Sequence, residues 1–290
     1  MAVYSQAIRP PSDHGMLALL SPHNEEPSAC SSLLQQLGLQ ARKYGYQVEL
    51  LHYHVPGISG KQLTRILKAR GTAGLIVLPG FIDSKALRRL QIDWELFPAV
   101  ALGHALFWPS LHRVSEDHLS NARLLVRKLI SLGHRRIGLC LQDSMAALHS
   151  AGGWEGGYLA EMRRLGDIPS TFYRKTAAPD EEEVQAIRSW ILRERLDAVI
   201  TDTDVAAYGL YSQGCFLPPI TVPSDIGLAC LALYSDFFAG VNPGIERIWT
   251  TAVDLLIHLT HTNQRGIPKF PRRTLIEGTW MPGKTVRRRN

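Results

Sequence analysis

Two aspartates one residue apart, Asp202 and Asp204, are the pair in this sequence best placed to do chemistry. They follow the strand-like run AVIT, at the carboxyl end where open parallel sheets bind ligands. Two carboxylates there would suit a metal ion, or hydrolysis assisted by a histidine. Because Asp204 directly precedes the helical run VAAYGLY, it also suits an N-cap combined with a polar ligand contact, and we favour this second interpretation.

Sequence motifs for catalysis are missing from the chain. It contains no GxSxG, HExxH or GxxxxGK[ST] pattern, and no GxGxxG follows a strand. The glycine-rich stretch GGWEGGY lies at the start of a helical segment and lacks the dinucleotide-binding spacing. We therefore expect a protein that is not an enzyme and that holds neither a metal nor a cofactor.

Other polar and aromatic residues fall at predicted strand ends, where they could line one ligand cleft. Taken singly, such residues are more often helix caps or packed aromatics, and only their clustering points to a ligand. The ligand-binding candidates are Ser21, His23, Asp143, Ser144, Ser150, Trp154, Thr203, Asp204 and Tyr234.

Composition is that of a globular protein with a core of ordinary size. The 290 residues are 45% hydrophobic and 20% charged, and the net charge of +6 is scattered over basic pairs typical of solvated surface. The four cysteines form no CxxC pair, which favours a reducing compartment. Neither a signal peptide nor an apolar run long enough for a membrane span is visible, so we expect a cytoplasmic protein with no membrane partner.

Short apolar runs alternate with amphipathic segments of helical length along the chain, which predicts an α/β fold with parallel sheets. The alternation restarts after the helix ending at SLGHRRIGLC, so two similar lobes are expected. In that joint, Gly133 suits the left-handed C′ position that ends many helices, and IGLC begins a buried strand. ERIW, near residue 248, is predicted as one further strand. SGKQLTRILKAR is predicted as a helix with Ser59 as its N-cap, and DSKALRRLQ at 83–91 as another helix.

Four stretches resemble the LacI/GalR family of bacterial transcriptional regulators. The first is SEDHLSNARLLVRKLISLGHRRIGLC, which is similar to the segment joining the two lobes of that family's effector-binding domain, with Asp117 at the acidic position that opens its helix. The other three, in chain order, are TAGLIVLPG, DAVITDTDVAAYGLY and VPSDIGLACL.

The resemblance implies a periplasmic-binding-protein-like type I fold, in which the chain crosses between the lobes three times. It implies a lead or linker at 1–14, an N-terminal lobe at 15–133 and 245–266, and a C-terminal lobe at 134–244 and 267–290. The family's helix-turn-helix headpiece has no counterpart in the sequence. The family's Asn-Asp pair is replaced by Thr203-Asp204, and an arginine of its pocket by Ser150.

We therefore expect an effector-binding and dimerisation domain that senses a small polar ligand, a sugar or another metabolite, between its lobes. It would form a homodimer and act on operator DNA through a headpiece outside this sequence. Two alternatives remain, a stand-alone small-molecule binding protein and a ligand-independent dimer scaffold. A hydrolase using Asp202, Asp204 and a histidine is a further rival.

Overall fold

The computed structural model describes residues 15–21, 27–53, 58–78, 92–104, 106, 108–143, 145–166, 170–176 and 178–289. These residues fall into two units, Met1–Ser115 with Glu246–Thr274 and Glu116–Ile245 with Leu275–Asn290, so the chain passes between units three times. Each unit is built on one six-stranded sheet. The expected fold class, two α/β units with largely parallel sheets and three crossovers, is confirmed.

Seven helices and twelve strands are numbered along the described residues. The helices are α1 (Pro27–Arg42), α2 (Gly60–Ala69), α3 (His118–Ser131), α4 (Met145–Arg164), α5 (Glu181–Arg193), α6 (Asp204–Ser212) and α7 (Ile245–His261), and a 3-10 turn spans Trp94–Leu96. The strands are β1 (Gly15–Ser21), β2 (Tyr46–His52), β3 (Thr72–Val77), β4 (Ala99–Leu102), β5 (His112–Glu116), β6 (Ile137–Gln142), β7 (Thr171–Lys175), β8 (Ala198–Thr203), β9 (Gly227–Ala232), β10 (Ala239–Asn242), β11 (Arg273–Ile276) and β12 (Thr279–Met281).

The sheet of the first unit has the strand order β11-β5-β4-β3-β1-β2, and β1 to β5 pair in parallel. Helix α2 covers one face with Leu63 and Leu67, and its capping box at Ser59 confirms the predicted N-cap. Helix α7 packs against β3 from the other face, where Gly74 leaves no room for a Cβ because the Leu256 side chain would lie 2.8 Å away.

The sheet of the second unit has the order β12-β10-β9-β8-β6-β7, with β12 antiparallel to β10 and the remaining pairs parallel. Helices α3 and α4 pack on one face and α5 and α6 on the other, each pair over its own buried cluster. Both faces are therefore covered, which explains why strands such as IGLCLQ and GLACLA are almost continuously apolar.

The joint between α3 and β6 has the geometry predicted from its glycine. Gly133 has φ +95°, its N–H donates to the carbonyl of Ile130, and the N–H of His134 donates to that of Leu129, which together form a Schellman motif. The His134 ring is buried and contacts the carbonyls of Asp197 and Arg287. The histidine therefore anchors the start of the second sheet rather than facing solvent at the end of a helix.

One local prediction is wrong, two strands were missed, and one predicted helix is not tested. ERIW is the first turn of α7 and not a strand, because Ile248 belongs to the buried face of that helix. Two short strands, β5 and β10, were not predicted, since each is only four or five residues long and has too few residues to show a period. The helix predicted at 83–91 lies outside the described residues.

The first crossover also differs from the expected boundary at 133. It lies after Ser115, and α3 belongs to the second unit because its residues pack along α4 and into the core shared with β6. Likewise, residues 267–274 fall in the first unit, where the N–H of Arg113 donates to the carbonyl of Arg272. The expected lead at 1–14 lies outside the described residues.

Candidate functional site

Asp202 connects neighbouring strands at the carboxyl edge of the second sheet. It is 4% exposed, and its carboxylate accepts hydrogen bonds from the Thr201 hydroxyl at 2.8 Å and the Gln142 N–H at 2.9 Å. Its Oδ1 also lies 3.4 Å from the Nζ of Lys175, which is 1% exposed. A buried charge needs such partners, so Asp202 joins the ends of β6, β7 and β8 rather than facing a ligand.

Asp204, the first residue of α6, has one carboxylate oxygen left over. Its Oδ2 accepts a hydrogen bond from the N–H of Tyr234 at 3.0 Å, whereas its Oδ1 has no hydrogen-bond partner among the described residues. Asp204 is only 6% exposed, and a buried acceptor without a partner is energetically unfavourable. This oxygen is therefore suited to accept a hydrogen bond from a bound molecule.

Thr203 takes the N-cap position that the sequence assigned to Asp204. Its hydroxyl accepts a hydrogen bond from the N–H of Ala206 at 3.2 Å, so the side chain is engaged in holding α6. The cap falls one residue earlier because Asp204 already has helical geometry, which leaves the Asp204 carboxylate for other contacts.

Trp154 offers a buried donor. The residue is 6% exposed, and its indole Nε1–H has no hydrogen-bond partner among the described residues. Its ring packs on the imidazole of His118, with 4.6 Å between the ring centroids. The Nδ1 of His118 in turn lies 3.5 Å from a carboxylate oxygen of Glu116. A Glu-His pair from β5 and α3 therefore lies beside the tryptophan.

Tyr234 links this group to Asp204. The residue is 61% exposed, yet the pKa of its phenol is raised to about 12, by desolvation and then by the nearby charges of Glu116 and Asp204. The hydroxyl is protonated at neutral pH, as in any tyrosine, and is therefore able to donate. Trp154, Tyr234 and Asp204 thus belong to one side of the second unit.

Of the remaining candidates, only Asp143 and Ser21 have described side chains. Asp143 is exposed at the end of β6, and its N–H donates to the carbonyl of Lys175. Ser21 is buried at the end of β1 in the first unit, where its carbonyl accepts from the N–H of Tyr53. His23 and Ser144, together with the side chain of Ser150, lie outside the described residues.

Three residues of this region were not predicted from the sequence: Glu116, His118 and Lys175. The first two flank Asp117, which the structure shows as the N-cap of α3, accepting from the N–H of Ser120 at 2.9 Å. The polar run Glu116–His118 before a helix was a usable signal. Lys175 gave none, because a lysine ending a strand is ordinarily solvated.

Within the described part of the chain, no group of three or more His, Cys, Asp or Glu residues is arranged to hold a metal ion. None of the helices described is long and apolar enough to cross a membrane.

Comparison with known proteins supports the resemblance found in the sequence. The profile of the periplasmic binding protein-like domain family matches residues 126–286, which is more than half of the chain. The HTH-type transcriptional regulator MalR of Streptomyces coelicolor is 30% identical over 132 residues, covering 44% of this chain and 38% of that protein. The chain therefore spans well under half the length of this curated relative.

Solved structures share the fold over nearly the whole chain. A LacI transcriptional regulator from a Rhodococcus species superposes with a TM-score of 0.68 at 20% identity, covering 94% of this chain and 98% of that one. A LacI family regulator from Enterococcus faecium with bound ribose gives 0.67 at 16% identity, covering 95% and 100%. The likeness to the effector-binding portion of LacI-type regulators is thus confirmed. Because the family profile matches more than half of the chain, this chain belongs to the periplasmic binding protein-like domain family.

Proposed function

We propose that this chain is the effector-binding and dimerisation portion of a LacI-type transcriptional regulator. In this proposal a small polar ligand binds the chain, and operator DNA is contacted through a helix-turn-helix headpiece. The family, the name of the Streptomyces coelicolor relative and the regulators that share the fold support this role. The protein then acts in the cytoplasm, and its function is to couple ligand binding to DNA affinity.

The observation that carries the proposal is the buried Oδ1 of Asp204 without a partner. It lies on the same unit as the unpartnered indole N–H of Trp154 and the protonated hydroxyl of Tyr234. One acceptor with two donors suits a ligand with several hydroxyl groups, since each hydroxyl both donates and accepts. Two regulators that share the fold were solved with ribose and with cellobiose bound, which supports a sugar-like effector.

No catalytic step is part of this proposal. A hydrolase would need Asp202 beside Asp204 as a second reactive carboxylate, but the Asp202 carboxylate is already held by Lys175, Thr201 and Gln142. The relatives named above are transcriptional regulators, which agrees with a sensor that releases its ligand unchanged.

A second copy of the chain is proposed to cover an apolar patch on the second unit. Val205, Tyr208 and Tyr211 of α6 and Phe237 are between 43% and 73% exposed and line a cavity of about 450 Å³. The partner packs on these exposed apolar and aromatic side chains, whereas the buried carboxylate of Asp204, the one charged residue of the lining, remains available to the effector. Contiguous apolar surface of this kind commonly marks an interface, and a two-fold dimer presents the same patch from both copies.

The effector is found by a thermal-shift screen of this chain against sugars, sugar acids, nucleosides and purines. A ligand at about one hundred times its Kd stabilises the fold by roughly 2.7 kcal/mol, which raises Tm by a few degrees. Asp204→Asn removes the negative charge of the carboxylate and replaces one of its two acceptor oxygens by an amide donor. We therefore expect it to abolish the shift in Tm. Asp236→Asn changes an exposed acid of the neighbouring loop and should leave the shift in place.

The same ligand is then added to the protein carrying its headpiece, and operator affinity is followed by fluorescence anisotropy. We expect a change of Kd in the wild type and none in Asp204→Asn. If the ligand binds but operator affinity does not move in either protein, the regulator proposal is wrong.

A further inference from the structure

Three arginines of the second unit surround one buried carboxylate. Glu161 of α4 is 0% exposed, and its oxygens lie 3.2 Å from the Nε of Arg123, 2.9 Å from an Nη of Arg127 and 2.5 Å from the Nε of Arg164. Burial opposes the ionisation of Glu161, but hydrogen bonds from Arg127, Arg164 and Arg123 outweigh it and hold its pKa at about 2. The carboxylate stays ionised and orients the guanidinium groups, yet it neutralises only one of the three.

Two of these arginines line a cavity beside α3. Their side chains are 38% and 48% exposed, so both reach solvent while remaining attached to Glu161. The cavity has a volume of about 440 Å³. Its lining consists of Ser120, Asn121, Arg123, Leu124 and Arg127 of α3, with Glu277 and Gly278 between β11 and β12.

Asn121 adds a donor that the protein leaves unused. The residue is 1% exposed, and its Oδ1 accepts a hydrogen bond from the N–H of Gly278 at 2.8 Å. The Nδ2 amide group has no hydrogen-bond partner among the described residues. Buried amide donors in folded proteins almost always have a partner, so a lone one in a cavity wall indicates that something else binds there.

The charges and donors around this cavity select an anion. The lining itself carries Arg123 and Arg127 against Glu277, which leaves one net positive charge, while the buried Glu161 is also paired with Arg164. Arg123 and Arg127 each contact Glu161 through one nitrogen, and the planar guanidinium fork matches the geometry of phosphate and carboxylate groups. Ser120 contributes a hydroxyl to the lining and lies in the first turn of α3, the end of a helix that favours negative charge.

We propose that this cavity, here called the α3 cavity, is a second ligand site that binds the phosphate or carboxylate group of a small metabolite. Arg123 and Arg127 bind the oxyanion, Asn121 Nδ2 donates to it, and Glu161 holds the two guanidinium groups in place. Neither Asp204 nor Trp154 lines the α3 cavity, so it is distinct from the proposed effector site. Its volume exceeds that of a bare phosphate and accommodates the body of a small metabolite.

The test is isothermal titration calorimetry of this chain with inorganic phosphate, glycerol 3-phosphate and succinate, each at constant ionic strength set with sodium chloride. We expect saturable one-site binding of at least one probe. Tighter binding of the two phosphates assigns a phosphate ligand, and tighter binding of succinate assigns a carboxylate ligand. Absence of saturable binding for all three probes would overturn the proposal.

Two variants and one control locate the binding. Arg127→Gln removes a guanidinium group, and Asn121→Asp replaces the Nδ2 donor by a carboxylate oxygen while keeping the acceptor for Gly278. Each should weaken binding about tenfold or more. Arg163→Gln removes a charge from the exposed surface of α4 without touching the cavity, and should change the Kd less than about twofold.

Thermal unfolding of each variant is measured beforehand, so that loss of binding is compared only among folded proteins. Asn121→Asp keeps the number of atoms and the bond to Gly278, so it remains informative if Arg127→Gln proves unstable. Equal weakening by all three substitutions would show general electrostatic attraction and contradict the α3 cavity, as would wild-type binding in both cavity variants.

Discussion

At the scale of single residues, three buried acids of the second unit, Asp202, Glu161 and Asp204, differ in how the charge of each carboxylate is compensated. Asp202 is satisfied by one lysine and two hydrogen bonds, whereas Glu161 is satisfied by three arginines. Asp204 is the contrasting case, since one of its oxygens is left without a partner. Removing a partner from a buried charge costs far more than removing a surface ion pair, so these three acids should respond very differently to neutralisation.

We predict that Glu161→Gln lowers the free energy of unfolding by about 2 kcal/mol, because three arginines lose the charge they share. Glu182→Gln, at an exposed acid in the first turn of α5, should cost no more than about 0.5 kcal/mol. Urea denaturation followed by circular dichroism measures both. A Glu161→Gln protein as stable as the control would contradict the structural role of the cluster.

The pH dependence follows from the same residue. The folded-state pKa of Glu161, about 2, lies below its ordinary value of 4.5, so its contribution is complete above pH 4.5 and is lost as the pH falls towards 2. In this window the wild type should lose stability more steeply than Glu161→Gln, which has no carboxyl group to protonate there.

At the scale of elements, the stretch GGWEGGY explains how α4 lies so close to α3. A Cβ built on Gly157 would lie 2.3 Å from the carbonyl oxygen of Leu119, and one on Gly153 would lie 2.8 Å from the Cβ of His118. These glycines are four residues apart and therefore share one face of the helix. The motif is a packing surface between helices, and the close approach holds Trp154 against His118.

Gly157→Ala should destabilise the fold by about 2 kcal/mol, since a backbone carbonyl cannot move aside as a flexible side chain could. Gly156→Ala is the matched control on the same helix, with no atom within 4 Å of its Cβ. It should stabilise the protein by up to about 1 kcal/mol through the higher helix propensity of alanine. Thermal denaturation measures the Tm of the two variants, and we expect that of Gly157→Ala to be the lower. Equal Tm values would show that the helices are not in close contact.

At the scale of the whole molecule, the chain forms two units that it enters and leaves three times. Contacts between residues far apart in sequence hold each unit together, such as the hydrogen bond from Gln40 Nε2 to Asp254 Oδ1 at 2.6 Å in the first unit. In the second unit, the His134 ring joins the end of α3 to the carbonyls of Asp197 and Arg287. The exposed aromatic patch on α6 is the surface that we propose for association with a second copy.

The proposed dimer is tested by Tyr208→Glu, which places a charge in the middle of that patch on a side chain that is 66% exposed. We expect the mass measured by light scattering after gel filtration to fall from that of two chains to that of one. Leu192→Glu changes a similarly exposed apolar residue of α5 outside the patch and should leave the dimer intact. Dimers in both variants would mean that the interface lies elsewhere.

Local patterns in the sequence were sufficient to predict most of the helices and strands. Alternation of apolar runs with amphipathic segments predicted the α/β class, Ser59 marked a helix start, and Gly133 marked a helix end in the left-handed conformation. Each of these depends on neighbours within a turn or two of chain, where propensity and capping act. The short strands β5 and β10 were not predicted, because a strand of four or five residues becomes recognisable only beside its partner strand.

What the sequence determined by itself was therefore the class of fold, the order of the longer elements and the end of the sheet where polar residues gather. Tertiary structure alone decided which of those residues are already satisfied. Asp202 and Asp204 look alike in the sequence, but Lys175, 27 residues earlier, engages only Asp202. The same holds for Glu161, whose arginines come from two helices. The burial of a carboxylate and the identity of its hydrogen-bond and ion-pair partners depend on contacts across the fold, and no local pattern encodes them.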